Sequence, residues 1–351
     1  MVRLTYVVKR MSIRQFCEGA SQNCRAKERS DMEVTMAITA AMVKELREVS
    51  GAGMMDCKKA LSETNGDMDA AMEFLRKNGQ AKAEKKANRI AAEGLCWIAS
   101  DGDKKAAIVE VNSETDFVAK NEKFQAYVQA VAQQALHSDS KDMDAFLAEK
   151  WEEDSSRTVQ EELVEKIATI GEKLSIRRFE KVEATEGCLA TYVHGGGRIG
   201  VIVEGKTDVV NDAVKEALNN VAMQIAALYP KYVSADEIPE EYKEHEKEIL
   251  LAQALKENEE LPENKRKPQQ IIEKMLIGRL NKELKEICLN DQVYVKAEDG
   301  KQTVAQYLAQ VGKENGAALS VKRFVRFETG EGIEKKQEDF AAEVMAQTHK
   351  A

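Results

Sequence analysis

The segment Gly200–Thr207 contains the most recognisable candidate for chemistry in this sequence. It matches the pattern G-x-x-x-x-G-K-[ST], in which backbone amides and a lysine hold the phosphates of a nucleotide. A phosphate-binding loop needs its four central residues in a loop, but here they are Val, Ile, Val and Glu, a run typical of a buried strand. We therefore predict a strand at this position. The competing class, a P-loop NTPase, requires that the isolated protein bind a nucleotide directly.

His194, followed by three glycines, suggests a second kind of chemistry. The string resembles the oxyanion loop of lipases, but the chain has no G-x-S-x-G motif to supply a nucleophile. The glycines therefore predict a turn between strands at 191–193 and 199–203. The four histidines and six cysteines form no CxxC motif and no metal-ligand spacing, so we expect reduced thiols, no metal and no cofactor. The cysteines are Cys17, Cys24, Cys57, Cys96, Cys188 and Cys288.

A third candidate is a binding surface within residues 112–124. The apolar run at 106–111 predicts a buried strand, and the apolar residues at the end of the segment recur at helical spacing. From the residues alone we favour a capped helix, in which Thr115 or Asp116 bonds the first amides and Phe117 folds into the core. The alternative is that Phe117 projects into a pocket of a partner.

The composition describes a globular, helix-rich chain. Its 351 residues suffice for two or more domains, and 43% of them are hydrophobic and 32% charged. A net charge of −9 argues against direct binding of nucleic acid through phosphates and suits a protein that binds another protein. No apolar run approaches the roughly 18 residues of a membrane span. We therefore expect a cytoplasmic protein that does not bind membranes.

The chain begins with a segment unlike the rest. Residues 1–35 hold more Lys and Arg than Asp and Glu and lack the apolar core of a secretory signal, so we interpret them as a start-site artefact or a disordered tail. From Thr39 onwards, three short apolar patterns separated by glycines predict a small helical bundle. We expect its third helix to end at Gly79.

After the bundle the sequence repeats itself. Three pairs of strings correspond: Ala91–Gly94 with Ala184–Gly187, Ile108–Val111 with Ile202–Gly205, and Leu174–Phe179 with Leu319–Phe324. The last pair is much farther apart, so the second copy contains an insertion with two apolar helical patterns. All four prolines fall between residues 230 and 268. We predict an α+β fold with two antiparallel sheets, each with helices on one side, and a strand at 292–295. The insertion fits an antiparallel helical hairpin.

Long strings in the chain resemble the elongation factor Ts family, the guanine-nucleotide exchange factors of bacterial translation. They are Val43–Leu61, Thr115–Lys120, Gly330–Lys335 and Asp339–Val344. They stand in the family's order along most of the chain. The resemblance implies a non-enzymatic exchange factor, which binds elongation factor Tu with GDP, displaces Mg²⁺ and promotes release of GDP so that GTP can bind.

The resemblance also implies which residues contact the partner. A turn that enters the GTPase beside its magnesium site, with Phe117 as a wedge, is implied for Thr115, Asp116, Phe117 and Val118. Secondary contacts are implied for Arg47, Met54, Met55 and His194. For each methionine, a place in the core is an equal alternative, because an adaptable contact surface and a core both suit methionine. A plain adaptor, whose bundle binds some other protein, would have no effect on GDP release.

The patterns and the resemblance together predict a domain organisation. The ranges are an extension at 1–35, a helical bundle of ubiquitin-associated type at 36–90, a first core subdomain at 91–185, a second at 186–235 and 291–332, an inserted coiled-coil hairpin at 236–290, and a C-terminal module with a helix at 333–351. In the family the hairpin contacts another chain, and self-association through it stays open. The C-terminal module either packs on the partner or caps its own core.

Overall fold

A computed structural model describes residues 38–334, with the backbone alone at residue 264. The extension at 1–35 and the helix predicted for the C-terminal module lie outside the described residues. The chain divides between Arg76 and Lys77 into two compact units. The mixture of helices and antiparallel sheets confirms the α+β class.

The first unit is a bundle built on α1 (Ala40–Ser50), α2 (Met54–Glu63) and the start of α3 (Met68–Lys86). The Thr39 hydroxyl caps α1 by accepting a hydrogen bond of 3.2 Å from the amide of Met42. Gly51 ends α1 in the left-handed conformation, at φ 65°. Small and branched side chains make the core, namely Val43, Leu46, Cys57, Ala60, Leu61 and Ala71.

The third helix does not end at Gly79, so that prediction was wrong. Helix α3 continues to Lys86. A Cβ built on Gly79 would meet the Ala168 side chain at 3.5 Å, which is ordinary contact, and the φ of Gly79 is not positive. A glycine inside a helix lowers its stability but does not terminate it unless the chain takes the left-handed conformation there.

The second unit starts with an antiparallel sheet of order β1-β2-β3. Its elements are β1 (Glu93–Asp101), β2 (Lys105–Ser113), α4 (Asp116–Ala119), α5 (Glu122–His137), α6 (Met143–Ala148), α7 (Val159–Ile170) and β3 (Leu174–Glu183). The central strand β2 pairs with both neighbours along its whole length. Helices α5 and α7 cover one face of this sheet, where Phe124, Val128 and Val131 are buried against Val109 and Val111.

The rest of the unit builds a second sheet of order β4-β5-β6. Its elements are β4 (Cys188–His194), β5 (Ile199–Lys206), α8 (Asp212–Leu228), α9 (Glu240–Glu259), α10 (Gln269–Ile287), α11 (Val304–Glu314) and β6 (Ser320–Glu328). The strand predicted at 292–295 is wrong, because Val293 makes only an isolated bridge with Thr303. The side chain of Gln224 takes the place of a neighbouring strand, since it bonds the carbonyl of Val293 and the amide of Val295.

The two sheets share local details that a duplicated unit would have. Pairing of β2 with β3 is interrupted between Glu110 and Val111, and pairing of β5 with β6 between Glu204 and Gly205. The sheets pack face to face, while helices cover their other faces. The apolar layer between the sheets consists of Cys96, Ala106, Ile108, Val182, Ala184, Leu189, Ile202, Val325 and Phe327.

The segment between α8 and α11 contains a pair of contacting helices, α9 and α10. They bury Leu250, Ile272 and Leu276. Other apolar side chains of the pair stay exposed, among them Ile271 and Ile277. No helix within residues 38–334 combines the length and the apolar composition needed to cross a membrane.

Candidate functional site

The short turn after β2 displays a phenyl ring to solvent. Phe117 is 80% exposed, more than any other large apolar side chain in the described part of the chain. The core position favoured from the residues alone is therefore wrong. Val118 and Ala119, the next residues of α4, pack on the core of the first sheet instead. One turn of helix thus anchors itself through two small side chains and points the aromatic one outwards.

The turn starts at a cap of the kind that the sequence predicts. Thr115 has extended backbone geometry, and its hydroxyl accepts a hydrogen bond of 3.4 Å from the amide of Val118. The carbonyl oxygens of Asp116, Phe117 and Val118 lie within reach of the Lys120 amide, which closes the turn. Because α4 is only four residues long, these end contacts, and not helix propagation, define its shape.

A charged pair flanks the exposed ring. The ammonium of Lys120 donates to the Asp116 carboxylate at 2.6 Å and lies 5.9 Å from the centre of the Phe117 ring. The hydrogen bond from Lys120 lowers the pKa of Asp116 below its ordinary value, so the carboxylate is charged at neutral pH. The surface around the ring therefore carries one negative and one positive group on exposed side chains.

A carboxylate from a distant part of the chain holds the backbone ahead of α4. Glu172, between α7 and β3, accepts hydrogen bonds from the amides of Glu114 and Thr115 at 3.1 and 3.0 Å. Its other oxygen accepts from the Thr115 hydroxyl at 2.7 Å. Local sequence patterns could not reveal this contact, because the partners are far apart in the chain. One indirect indication lies in the internal repeat. There Ala317 stands at the position of Glu172, so the acid belongs to the first half alone.

Three predicted contact residues belong to the first unit. Arg47 is exposed on α1, and the methionines that open α2 are 57% exposed at Met54 and 74% exposed at Met55. A place in the core is therefore excluded for both methionines. Cys57, one turn further along α2, supplies the buried contact instead. This unit thus presents two flexible apolar side chains after a glycine turn, which suits an adaptable contact surface.

His194 ends β4 and is also exposed. Its Nδ1 lies 2.9 Å from the hydroxyl of Tyr192, and the two rings are 5.9 Å apart. The three glycines after it form the turn to β5, and the carbonyl of Gly197 accepts a bond from the Cys96 amide. His194 therefore lies on a hairpin that is fastened to β1 and is separate in sequence from the Phe117 turn.

The string at 200–207, which matches the P-loop pattern, lies in strand β5 up to Lys206, as predicted. Val201, Ile202 and Val203 are fully buried in β5, which pairs on both sides with other strands. Their amides therefore face neighbouring strands and not a phosphate. Lys206 lies 3.6 Å from Glu186 in an exposed ion pair. Within residues 38–334, moreover, no group of three or more His, Cys, Asp or Glu could hold a metal ion.

Comparison of the sequence with known proteins shows the family to which the chain is related. The family described as Elongation factor TS matches residues 114–331. The chain is similar to proteins named Elongation factor Ts in three clostridial species. Identity is 52% over 311 residues for Clostridioides difficile strain 630, which covers 88% of this chain and 98% of the relative. It is 49% over 308 residues for Clostridium perfringens strain 13, with coverage of 88% and 98%. For Clostridium botulinum strain Eklund 17B it is 48% over 314 residues, with coverage of 89% and 100%.

The chain belongs to the elongation factor Ts family. By family it is thus a translation elongation factor. The region that matches the elongation factor Ts family starts at Glu114, so it contains the whole Phe117 turn, Glu172 and His194. The exposed ring and the carboxylate that holds its backbone therefore both lie in the part of the chain matched to the family.

Proposed function

We propose that this protein is a guanine-nucleotide exchange factor that acts on elongation factor Tu. It binds the GTPase with GDP, displaces Mg²⁺ and promotes release of GDP, after which GTP binds. The observation that carries the proposal is the exposed Phe117 ring, presented on a turn whose backbone is hydrogen-bonded at both ends. The protein acts by binding alone, with no covalent chemistry and no cofactor of its own.

An exposed phenyl ring suits a wedge for a physical reason. Burial of such a side chain in a partner is worth about 1.5–3 kcal/mol, and this free energy is available only when a pocket opens to receive it. The ring makes no hydrogen bond that a nucleotide could use in its place. We propose that Asp116 and Phe117 enter the GTPase beside its magnesium and phosphate site. Thr115 and Val118 hold the turn in its conformation.

The effect on GDP follows from linkage. If the exchange factor binds the opened GTPase more tightly than the GDP-bound one, it must weaken the binding of GDP by the same factor. Each tenfold change in affinity corresponds to about 1.4 kcal/mol. Loss of the partner's Mg²⁺ leaves the charge of the diphosphate poorly neutralised, so a modest displacement of side chains around the metal is sufficient to speed release.

The remaining contacts are proposed to secure the complex. We assign this role to Arg47, Met54, Met55 and His194, all of which are exposed. We retain the domain organisation predicted above, with the hairpin at 236–290 available to another chain or to a second copy. We further propose that the protein works in the cytoplasm and contacts neither membrane nor nucleic acid directly.

The deciding experiment is stopped-flow release of a fluorescent GDP analogue from elongation factor Tu. Phe117→Ala is expected to lower the release rate by at least about tenfold, equivalent to about 1.4 kcal/mol of activation free energy. The melting temperature should not change, because the ring is exposed. The control is Val295→Ala, which truncates a side chain that is 52% exposed elsewhere in the second unit and should leave the rate unchanged.

An unchanged rate in Phe117→Ala rejects the wedge. Direct binding of GTP or ATP by the isolated protein, lost in Lys206→Ala, would instead support a P-loop NTPase.

A further inference from the structure

We propose that Glu172 is the positioning residue of the exchange site, a role that rests on the function proposed above. Glu172 is half-buried, and it makes no hydrogen bond to the residue that carries the exposed ring. Its carboxylate instead accepts three hydrogen bonds from the two residues that precede α4, at distances of 2.7–3.1 Å. It therefore acts on Phe117 through the backbone that carries the ring.

Glu172 also decides how the Thr115 hydroxyl is used. A charged carboxylate can only accept, so Thr115 must donate its single hydroxyl proton to Glu172. The lone pairs of the Thr115 oxygen then remain free for the amide of Val118, which is the capping bond that starts α4. Removal of the carboxylate frees the hydroxyl to rotate, and the cap loses its fixed acceptor.

The bonds between the two loops are reciprocal. The carboxylate of Glu114 accepts from the backbone amide of Lys173 at 2.6 Å and from the guanidinium of Arg89 at 3.3 Å. Glu172 thus accepts hydrogen bonds from backbone amides ahead of the Phe117 turn, and Glu114 accepts one from the backbone amide next to Glu172. Backbone atoms bonded in this way are held in one conformation before a partner arrives, so their ordering does not oppose binding.

The second half of the unit shows what this region looks like without a wedge. There the Asp208 carboxylate accepts from the amide of Ala318 at 3.2 Å, which parallels the bond between Glu114 and Lys173. No counterpart of α4 follows, because Asn211 caps α8 directly. Ala317 occupies the position of Glu172, as the match of Leu174–Phe179 with Leu319–Phe324 requires.

The comparison separates two functions of the carboxylates. The bond made by Glu114 or Asp208 is common to both halves and ties the end of the central strand to the start of the last one. The bonds made by Glu172 occur only in the half that has the exposed ring. We conclude that the fold does not need an acid at this position, and that Glu172 serves the Phe117 turn.

A double-mutant cycle between Glu172→Ala and Phe117→Ala tests this role. Release of the fluorescent GDP analogue is measured against exchange-factor concentration, so that the maximal rate and the half-saturating concentration are separated. Glu172→Ala is expected to lower the maximal rate about tenfold in the parent and to have no further effect in Phe117→Ala, because a ring that is absent cannot be mispositioned. Asp208→Ala is the control, because it removes a carboxylate that bonds a backbone amide in the other half, where no counterpart of α4 follows, and it should leave the maximal rate unchanged.

Glu172→Gln provides a conservative rescue. The side-chain oxygen of the glutamine can accept from the two backbone amides, and its side-chain NH2 can donate to the Thr115 oxygen. The maximal rate should therefore stay within about twofold of the parent. If Glu172→Ala does not fold, Glu172→Asp repeats the test. It keeps the charge but withdraws the carboxylate by one methylene, and it should lower the maximal rate in the parent only.

The outcomes distinguish this proposal from the one on which it rests. Normal release with Phe117→Ala rejects the exchange wedge itself. Slow release with Phe117→Ala but normal release with Glu172→Ala rejects the positioning role alone. An equal loss from Glu172→Ala in the presence and absence of the ring would show that Glu172 acts elsewhere and also overturns it.

Discussion

The Nε of Arg178 lies 2.6 Å from a carboxylate oxygen of Glu110, whose side chain is completely buried. Arg177 donates to the same carboxylate at 3.0 Å. The other half repeats the arrangement, since buried Glu204 accepts from Lys322 at 2.7 Å and from Arg323 at 2.8 Å. Each sheet therefore buries one acid at the irregularity of its central strand and neutralises it from the last strand.

Loss of the first buried acid should be costly. Glu110→Ala removes the buried carboxylate that two arginines and the amide of Gly330 share, so we expect the free energy of unfolding to fall by about 3–5 kcal/mol. Urea unfolding measures the change. Glu183→Ala is the control, because Glu183 pairs with Lys105 on the surface and should cost less than about 1 kcal/mol. Similar losses from the two variants would contradict this account.

The second buried acid should make stability depend on pH. Burial alone raises the pKa of Glu204, but hydrogen bonds from Lys322 and Arg323 outweigh it and hold the pKa below its ordinary value. A depressed pKa in the folded state means that the carboxylate stabilises the fold above the unfolded-state value of about 4.3, and that this contribution is lost as the pH falls through the folded-state value.

Glu204→Gln should therefore be less stable than the parent at pH 7, by about 3 kcal/mol, and the difference should shrink below about pH 4. Urea unfolding at a series of pH values measures it. A difference that stays constant down to pH 3 would show that the charge of Glu204 is not responsible.

Two glycines should respond to alanine in opposite directions. Gly187 has a φ of 69°, and a Cβ there would lie 2.0 Å from the carbonyl oxygen of Gly205, so Gly187→Ala should cost at least about 3 kcal/mol. Gly278 lies in α10 with open space around it, so Gly278→Ala should raise stability by about 0.5–1 kcal/mol. Thermal unfolding checks both signs. A stabilised Gly187→Ala would refute the close approach of the two backbones.

The first unit should contribute affinity and not the exchange step. Met55→Ala removes a side chain that is 74% exposed, so the half-saturating concentration for GDP release should rise about fivefold, near 1 kcal/mol, with an unchanged maximal rate. Met55→Leu keeps the apolar volume and should restore it. A reduced maximal rate in Met55→Ala would place this methionine in the exchange step itself.

Much of the fold was predictable from local patterns. Caps at Thr39 and Thr115 were recognisable because a hydroxyl ahead of an apolar helical pattern bonds amides only three residues away. The strand at Ile199–Lys206 was recognisable because a run of branched residues outweighs a motif match. Gly79 and the segment at 292–295 were predicted wrongly, because packing and a glutamine side chain decided their conformations.

The sequence by itself determined the α+β class, the repeated strings, the strand within the string at 200–207 and the likeness to the elongation factor Ts family. These depend on periodicity and on residues close together in the chain. Only the tertiary structure decided that Phe117 is exposed while Val118 is packed, and that Glu172 holds their turn. The reason is physical: exposure of a side chain, and the partners of a backbone amide, depend on which distant segments pack around them, and local spacing does not contain that information.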